Sequence, residues 1–270
     1  LLSFLRNTLI VTLLNIIGLV LSFLVSIIIT SKFGASYYMD SYSAAIIIPN
    51  YISVVLGGAL SYTFIPIFVK KSQDYNNWDL VNNIISIFIL TLGLIILMGI
   101  WLAPEIMKTI APGFKDKQIA FSSSLLRLYF PIILFSCLNE LLASIFYSKN
   151  LFLTPLINKL ITPIVTILII FTSSSHLNVK NLIHASVISS ILQLISLLFS
   201  LMKKEGYTYA FKININDKDV RQLLKLITPL ILSSLLYKLF PIFDSIFLSK
   251  LPVGGYSRIN YAYKLQLIIG

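Results

Sequence analysis

Six ionisable side chains fall inside long apolar runs: Arg127, Glu140, Lys159, Lys238, Asp244 and Lys264. A charge facing lipid is costly, so each marks a watery cavity, a polar partner helix or an escape to the membrane surface. Lys159 lies near neither end of its run, and a cavity-facing orientation is expected. Arg127 sits early enough in its run to snorkel to an interface. Glu140 shares a helical face with Ser136, Cys137 and Ser144, which leaves open both an interhelical hydrogen bond and a ligand contact. Ser257, Asn260 and Lys264 recur at i, i+3 and i+7, a polar stripe on an otherwise apolar helix that needs a water-filled cavity or a polar partner. Lys238 and Asp244 are six positions apart, about 240° around a helix, and share a face only if Pro241 kinks the chain between them.

These groups suit binding better than catalysis. The histidines, His176 and His184, lie beside one loop with no matching carboxylate, so no metal is expected. A single cysteine, Cys137, excludes an internal disulfide and a cysteine metal cluster. No HExxH, GxSxG or Walker pattern is present, and no enzyme activity or cofactor is expected.

The elements that position these residues follow from composition. Of 270 residues, 57% are hydrophobic and 11% charged, far from the roughly 25% charged of a soluble domain. Mean hydropathy is +0.90. This excludes an ordinary soluble enzyme, a secreted disulfide scaffold and a disordered chain, leaving an all-α polytopic membrane protein. Seven runs reach the roughly 20 residues that cross a bilayer: Thr8–Thr30, Tyr42–Phe68, Val81–Leu102, Phe121–Phe146, Leu151–Phe171, Leu182–Met202 and Leu223–Leu248. An eighth starts near Tyr256 and reaches only 15 positions, about 22 Å against a core of roughly 30 Å. Because the first residue is not Met either, the chain is expected to be a fragment of a longer protein. The apolar run after Arg6 is too long for a cleavable signal peptide.

The net charge of +11 is spread over short loops, which points to retention beside anionic lipid rather than to nucleic acid. With the N-terminus in the cytoplasm, ten loop cations lie inside and six outside, and that orientation is expected. The polar stretch 203–222 is expected to be a cytoplasmic linker between a six-helix lobe, 1–202, and the start of a second lobe, 223–270. Ser26–Ile29 followed by Ser31-Lys32 resembles Ser245–Leu248 followed by Ser249-Lys250, a weak repeat across six helices and hence parallel. Prolines and glycines interrupt several runs: Pro49-Asn50, Gly57-Gly58 and Pro66, then Pro131, Pro229 and Pro241. Freed backbone groups there are tolerated beside protein or a watery cavity.

One further set of residues is ordered along nearly the whole chain. Phe33-Gly34-Ala35, Asp40, Pro49-Asn50, Gly58–Ser61 and Phe64-Ile65-Pro66 come first. Ala111–Phe114, Phe130-Pro131 and Ser257 with Tyr261-Ala262 and Lys264 follow. This ordered set resembles the MurJ/MviN lipid II flippases of the multidrug/oligosaccharidyl-lipid/polysaccharide exporter superfamily. The resemblance implies two six-helix lobes plus a final pair, with this chain holding the first lobe, helix 7 and part of helix 8. It also implies a central cationic cavity, energy from the membrane potential, and a monomer in the bacterial cytoplasmic membrane among membrane lipids. The substrate would be an undecaprenyl-pyrophosphate-linked peptidoglycan precursor. Carried onto this sequence, Lys264, with Lys238 or Lys159, would attract the pyrophosphate. Ser257, Asn260 and Asn50 would hydrogen-bond sugar or phosphate, and Asp40 would gate or counter the cationic site. The sequence departs from the family where arginines are usual: Gly18-Leu19 and Ser22–Ser26 stand in the first helix, and Tyr51–Val54 follows Pro49-Asn50. Lys264 keeps a cation but loses the bidentate fork of arginine. Another lipid-linked oligosaccharide or polysaccharide precursor is therefore an alternative. So is an ion-coupled exporter of the same superfamily that uses Glu140 and Asp244.

Overall fold

The computed structural model describes residues 2–71, 78–173, 178–237 and 239–269, so Lys238 and His176 lie outside the described residues. Among the described residues the chain is helical with no strand. The helices are α1 (Leu2–Phe33), α2 (Tyr37–Ala45), α3 (Ile47–Lys71), α4 (Trp78–Ile110), α5 (Asp116–Tyr129) and α6 (Ile132–Ser148). They continue with α7 (Leu153–Lys159), α8 (Ile161–Thr172), α9 (Val179–Glu205), α10 (Lys218–Tyr237), α11 (Phe240–Leu248) and α12 (Gly255–Ile269). Among the described residues, seven stretches are long and apolar enough to cross a membrane. Four of them are broken helices: α2 with α3, α5 with α6, α7 with α8, and α10 with α11.

Proline sets the breaks. A proline at position i has no N–H to give the carbonyl of i−4, and its ring crowds that carbonyl. The break at Ile46 lies three residues before Pro49, and the break at Leu160 lies three before Pro163. α10 ends at Tyr237 and α11 begins at Phe240, one residue before Pro241. Pro104 in α4 frees the Ile100 carbonyl without ending the helix, because Arg127 Nε donates to that oxygen at 3.2 Å. The intramembrane guanidinium thus repairs a neighbour's backbone.

Several helices start earlier than hydropathy suggests. The second span begins at Tyr37 rather than Tyr42, because the Ser36 side chain caps it by accepting from the Met39 N–H. The fourth begins at Asp116 rather than Phe121. The expected linker is shorter than 203–222: α9 runs on to Glu205, and α10 starts at Lys218, where the Asp217 carboxylate accepts from the N–H groups of Asp219 and Val220. Its non-helical part, 206–217, lies against the start of α4.

In lipid, helices associate through close packing and polar contacts rather than by escaping water. The tightest pairing joins α3 to α6 through small residues one turn apart. Gly57 faces the Glu140 side chain, and Ser61 accepts from the Ser144 hydroxyl at 2.9 Å. Leu60, Phe64, Leu142 and Phe146 fill the adjoining core. A second core under the α5–α6 break gathers Met107, Leu125, Phe130 and Tyr256, so the start of α12 is packed into the same body as the first spans.

Candidate functional site: a polar cavity beneath a carboxylate clasp

Where α2 meets α12, the two parts of the chain are tied together by Asp40. Its carboxylate is buried, at 3% exposure, and accepts three hydrogen bonds from the start of α12. Gly254 N donates at 2.7 Å, Ser257 N at 2.8 Å and Ser257 Oγ at 2.6 Å. The first N–H groups of a helix have no partner within it and carry its positive dipole end, so a carboxylate there is doubly favoured. Two turns meet face to face at this point. Gly34 (φ +57°) leads from α1 into α2, and Gly254 (φ +84°) leads into α12. A side chain at Gly254 would be strained, and its Cβ would come within 2.7 Å of the Ala35 carbonyl oxygen. Tyr261 Oη donates to the Gly34 carbonyl at 2.9 Å. Close by, Gly113 N donates to Ser249 Oγ at 3.1 Å, and a Cβ there would lie only 2.3 Å from the Ser249 carbonyl oxygen.

The clasp roofs a cavity of about 580 Å³ between α2–α3 on one side and α11–α12 on the other. Such a volume suits a drug-sized or larger ligand group. Asn50, Asp244, Asn260 and Lys264 all line it, with Tyr42, Tyr51 and Tyr261 among the aromatic walls. Asn50 is held by Tyr129, whose hydroxyl donates to Asn50 Oδ1 at 2.9 Å, leaving the amide NH2 for other acceptors. Tyr51 Oη donates at 2.6 Å to the carbonyl of Leu235, an end-of-helix oxygen just before the break in the seventh span.

Lys264 is shared with a second groove of about 630 Å³, walled by α1, α7, α8 and α12. Lys159 lines that groove together with Asn15, Ser22 and Ser26 of α1. Two cations from distant parts of the sequence therefore border one groove, and Lys264 belongs to both spaces.

The remaining expected residues fall elsewhere. Ser257 does not line the cavity: it is fully buried and its hydroxyl goes to Asp40, so the stripe Ser257–Asn260–Lys264 divides, its first member at the clasp and the other two in the cavity. The helix turns by about 100° per residue, and the buried α2 takes the first position while the cavity takes the rest. Glu140 does not line it either, lying on α6 against Gly57 of α3. Lys238 is outside the described residues. Among the described residues, no three metal-ligating side chains gather. Sequence reasoning gave no role to three positioning hydroxyls: Tyr129 reads as an ordinary aromatic residue, Tyr51 only as a departure from the family and Tyr261 only as a member of the ordered set, and the fold alone pairs each hydroxyl with its distant partner.

A profile of the lipid II flippase MurJ family matches residues 29–269. A probable lipid II flippase MurJ from Buchnera aphidicola subsp. Schizaphis graminum is 29% identical over 272 residues, covering 97% of this chain and 52% of the relative. A probable lipid II flippase MurJ from Rickettsia prowazekii is 29% identical over 245 residues, covering 88% of this chain and 48% of the relative. The chain thus spans about half the length of the curated relatives it matches. Among solved structures, a lipid II flippase MurJ in an inward closed conformation superposes with a TM-score of 0.81 at 23% identity, over 96% of this chain and 55% of that one. An inward-facing multidrug transporter of the MATE family superposes at 0.70 with 12% identity, over 90% of this chain and 57% of that one. Both share the fold.

Proposed function

The chain belongs to the lipid II flippase MurJ family, and on that footing we propose that it forms part of a flippase that moves an undecaprenyl-pyrophosphate-linked peptidoglycan precursor across the bacterial cytoplasmic membrane. The observation that carries this reading is the cavity in which Lys264, Asn260 and Asn50 converge beneath the Asp40 clasp. A pyrophosphate is a compact anion rich in acceptors. A lysine in a low-dielectric space attracts it strongly, and two amides can donate to its oxygens or to a sugar. Lys159, across the groove it shares with Lys264, offers a second cation on the side of α1. Asp244, on the same α11–α12 side as Lys264, adds a carboxylate to the lining of the cavity.

The clasp supplies the gate. In the N-inside orientation favoured by the loop cations, Asp40 and the α12 start lie toward the outer face, so the cavity is sealed from that side. Release outward requires α2 and α12 to part, and the cost of breaking the three Asp40 bonds sets the balance between the two states. The two parts would rock about the cavity, with no chemistry on the substrate. The protein acts as a monomer among membrane lipids, binds no nucleic acid and catalyses no reaction.

Complementation tests the reading. The complete gene, expressed in bacteria depleted of their own lipid II flippase, is expected to restore peptidoglycan synthesis, and Lys264→Ala is expected to abolish the rescue while the protein still reaches the membrane. Failure of the wild-type gene, with capsule or exopolysaccharide output lost on its deletion, would reassign the substrate to another lipid-linked precursor.

A further inference from the structure

The connection between the sixth and seventh spans carries a pattern that neither the cavity nor the clasp uses. Tyr209, Phe211, Ile213 and Ile215 occupy every second position and are all exposed, at 47%, 67%, 43% and 59%. A period of two is that of an extended chain with one apolar face. The backbone of the same segment is held to α4. Asn82 Nδ2 donates to the Thr208 carbonyl at 3.4 Å, and Lys212 N donates to Ser86 Oγ at 3.2 Å. Asn83 brackets Asn214, donating to its carbonyl at 2.9 Å and accepting from its N–H at 2.8 Å. One edge of the segment is therefore held by protein, and Tyr209 turns its hydroxyl back to Ser86 Oγ at 3.0 Å, which leaves three large apolar side chains, Phe211, Ile213 and Ile215, offered to whatever lies outside.

The depth of this segment is set by its neighbours. With 33 residues, α4 is about 50 Å long, well beyond the roughly 30 Å hydrocarbon core, so its ends stand in the headgroup layers. The segment meets the first turns of α4, where Trp78 packs edge-on against Tyr207 with ring centroids 5.0 Å apart. Clustered Trp and Tyr side chains are typical of that boundary. Around it stand six cations, Lys203, Lys204, Lys212, Lys218, Arg221 and Lys225, against Glu205, Asp217 and Asp219. Lys212 pairs with Asp79, and Glu205 pairs with Lys149. Lys203, Lys204, Lys218, Arg221 and Lys225 are exposed.

We propose that residues 206–217 form an interfacial lipid-docking element: Phe211, Ile213 and Ile215 enter the boundary between headgroups and acyl chains, while the flanking lysines and arginine meet the phosphates of anionic lipid. Apolar side chains can enter this layer while the backbone edge turned away from α4 stays among headgroups and water, and each nearby cation adds attraction to an anionic surface. The element is therefore a membrane anchor between the two parts of the chain rather than a free cytoplasmic loop. It does not depend on which substrate the cavity takes.

The test uses the complete protein in vesicles, with Cys137→Ser and a single fluorescent label at Phe211→Cys or Ile215→Cys. A label at Thr208→Cys, on the alternate set of positions, serves as the comparison. In phosphatidylcholine vesicles containing one quarter phosphatidylglycerol, the labels at 211 and 215 are expected to be quenched by shallow nitroxide lipid at least twofold more than by aqueous iodide, and the label at 208 the reverse. Removing the phosphatidylglycerol is expected to halve the lipid quenching at 211, and the triple variant Lys203→Gln, Lys204→Gln, Lys218→Gln to remove that dependence. Iodide quenching at 211 and 215 equal to that at 208 would overturn the proposal. So would labels reached by neither quencher, which would put protein over the stripe, or lipid quenching indifferent to phosphatidylglycerol.

Discussion

Replacing Asp40 by Asn changes one oxygen into an NH2 group and removes one charge, and its effect on the clasp can be worked from the geometry. The carboxylate accepts from Gly254 N on one oxygen and from Ser257 N and Oγ on the other, all within 2.8 Å. An amide keeps one acceptor. With Oδ1 toward Ser257, its NH2 faces the Gly254 N–H, donor against donor, in a site only 3% exposed. An orphaned buried N–H costs about 1–3 kcal/mol, and losing a negative charge at a helix N-terminus costs about 0.3–2 kcal/mol. Together they amount to roughly 1.3–5 kcal/mol, taken only from the clasped state, or a shift of about 10- to 5000-fold toward separation of α2 from α12. Spin labels at Lys32→Cys and Lys250→Cys, both exposed and on opposite sides of the clasp, report that separation as a distance distribution in a Cys137→Ser background. Asp40→Asn is expected to move most of the population to longer distance. Ser257→Ala, which removes one bond and leaves both N–H donors in place, is expected to move it less, by about 1 kcal/mol. The reasoning fails if the Asp40→Asn distribution superposes on wild type, or if Ser257→Ala opens the clasp further than Asp40→Asn does.

Four other outcomes are expected. Gly254→Ala forces a side chain onto a left-handed backbone against the Ala35 carbonyl, and the same spin-label pair should show the clasp opened. Arg127→Met leaves the Ile100 carbonyl above Pro104 without its donor, and thermal unfolding in detergent should shift downward by an amount equivalent to about 1–3 kcal/mol. Asn83→Ala removes both bonds to Asn214, so limited proteolysis should cut within 206–217 at least tenfold faster than in wild type. Burial, with Tyr209 nearby, holds the Tyr207 phenol above its ordinary value of 10.0. Its contribution to docking the segment on Asn82 is full below pH 10 and lost as the pH climbs through the higher folded value, so the same proteolysis should accelerate only in alkaline buffer.

The sequence by itself determined the solvent. With 57% hydrophobic and 11% charged residues, only a membrane interior could receive this chain, and backbone groups in lipid allow only helices or a closed barrel. The seven spans, the breaks beside Pro49, Pro131 and Pro241, and the ordered motifs around Gly34, Asp40, Pro49 and Lys264 were legible, because each depends on a short stretch of chain. Pro66 and Pro229, expected to interrupt their runs, lie inside α3 and α10, and the break before Pro163 was not read. Helix starts at Tyr37 and Asp116 were less so, since polar capping turns lower the local hydropathy on which the run was read.

Tertiary structure alone decided which polar groups meet. Asn50, Asp244, Asn260 and Lys264 share a cavity, whereas Ser257, on the same stripe as two of them, is spent on Asp40 across more than two hundred residues of chain. The i, i+3, i+7 spacing fixes a face of α12 but not what covers each turn of it. Likewise Arg127 read as a snorkelling cation, and only the packing of α5 on α4 brings it to the carbonyl that Pro104 left bare. A local pattern sets where a side chain points along its own helix, and the partner at the other end of each hydrogen bond is chosen by how the helices cross.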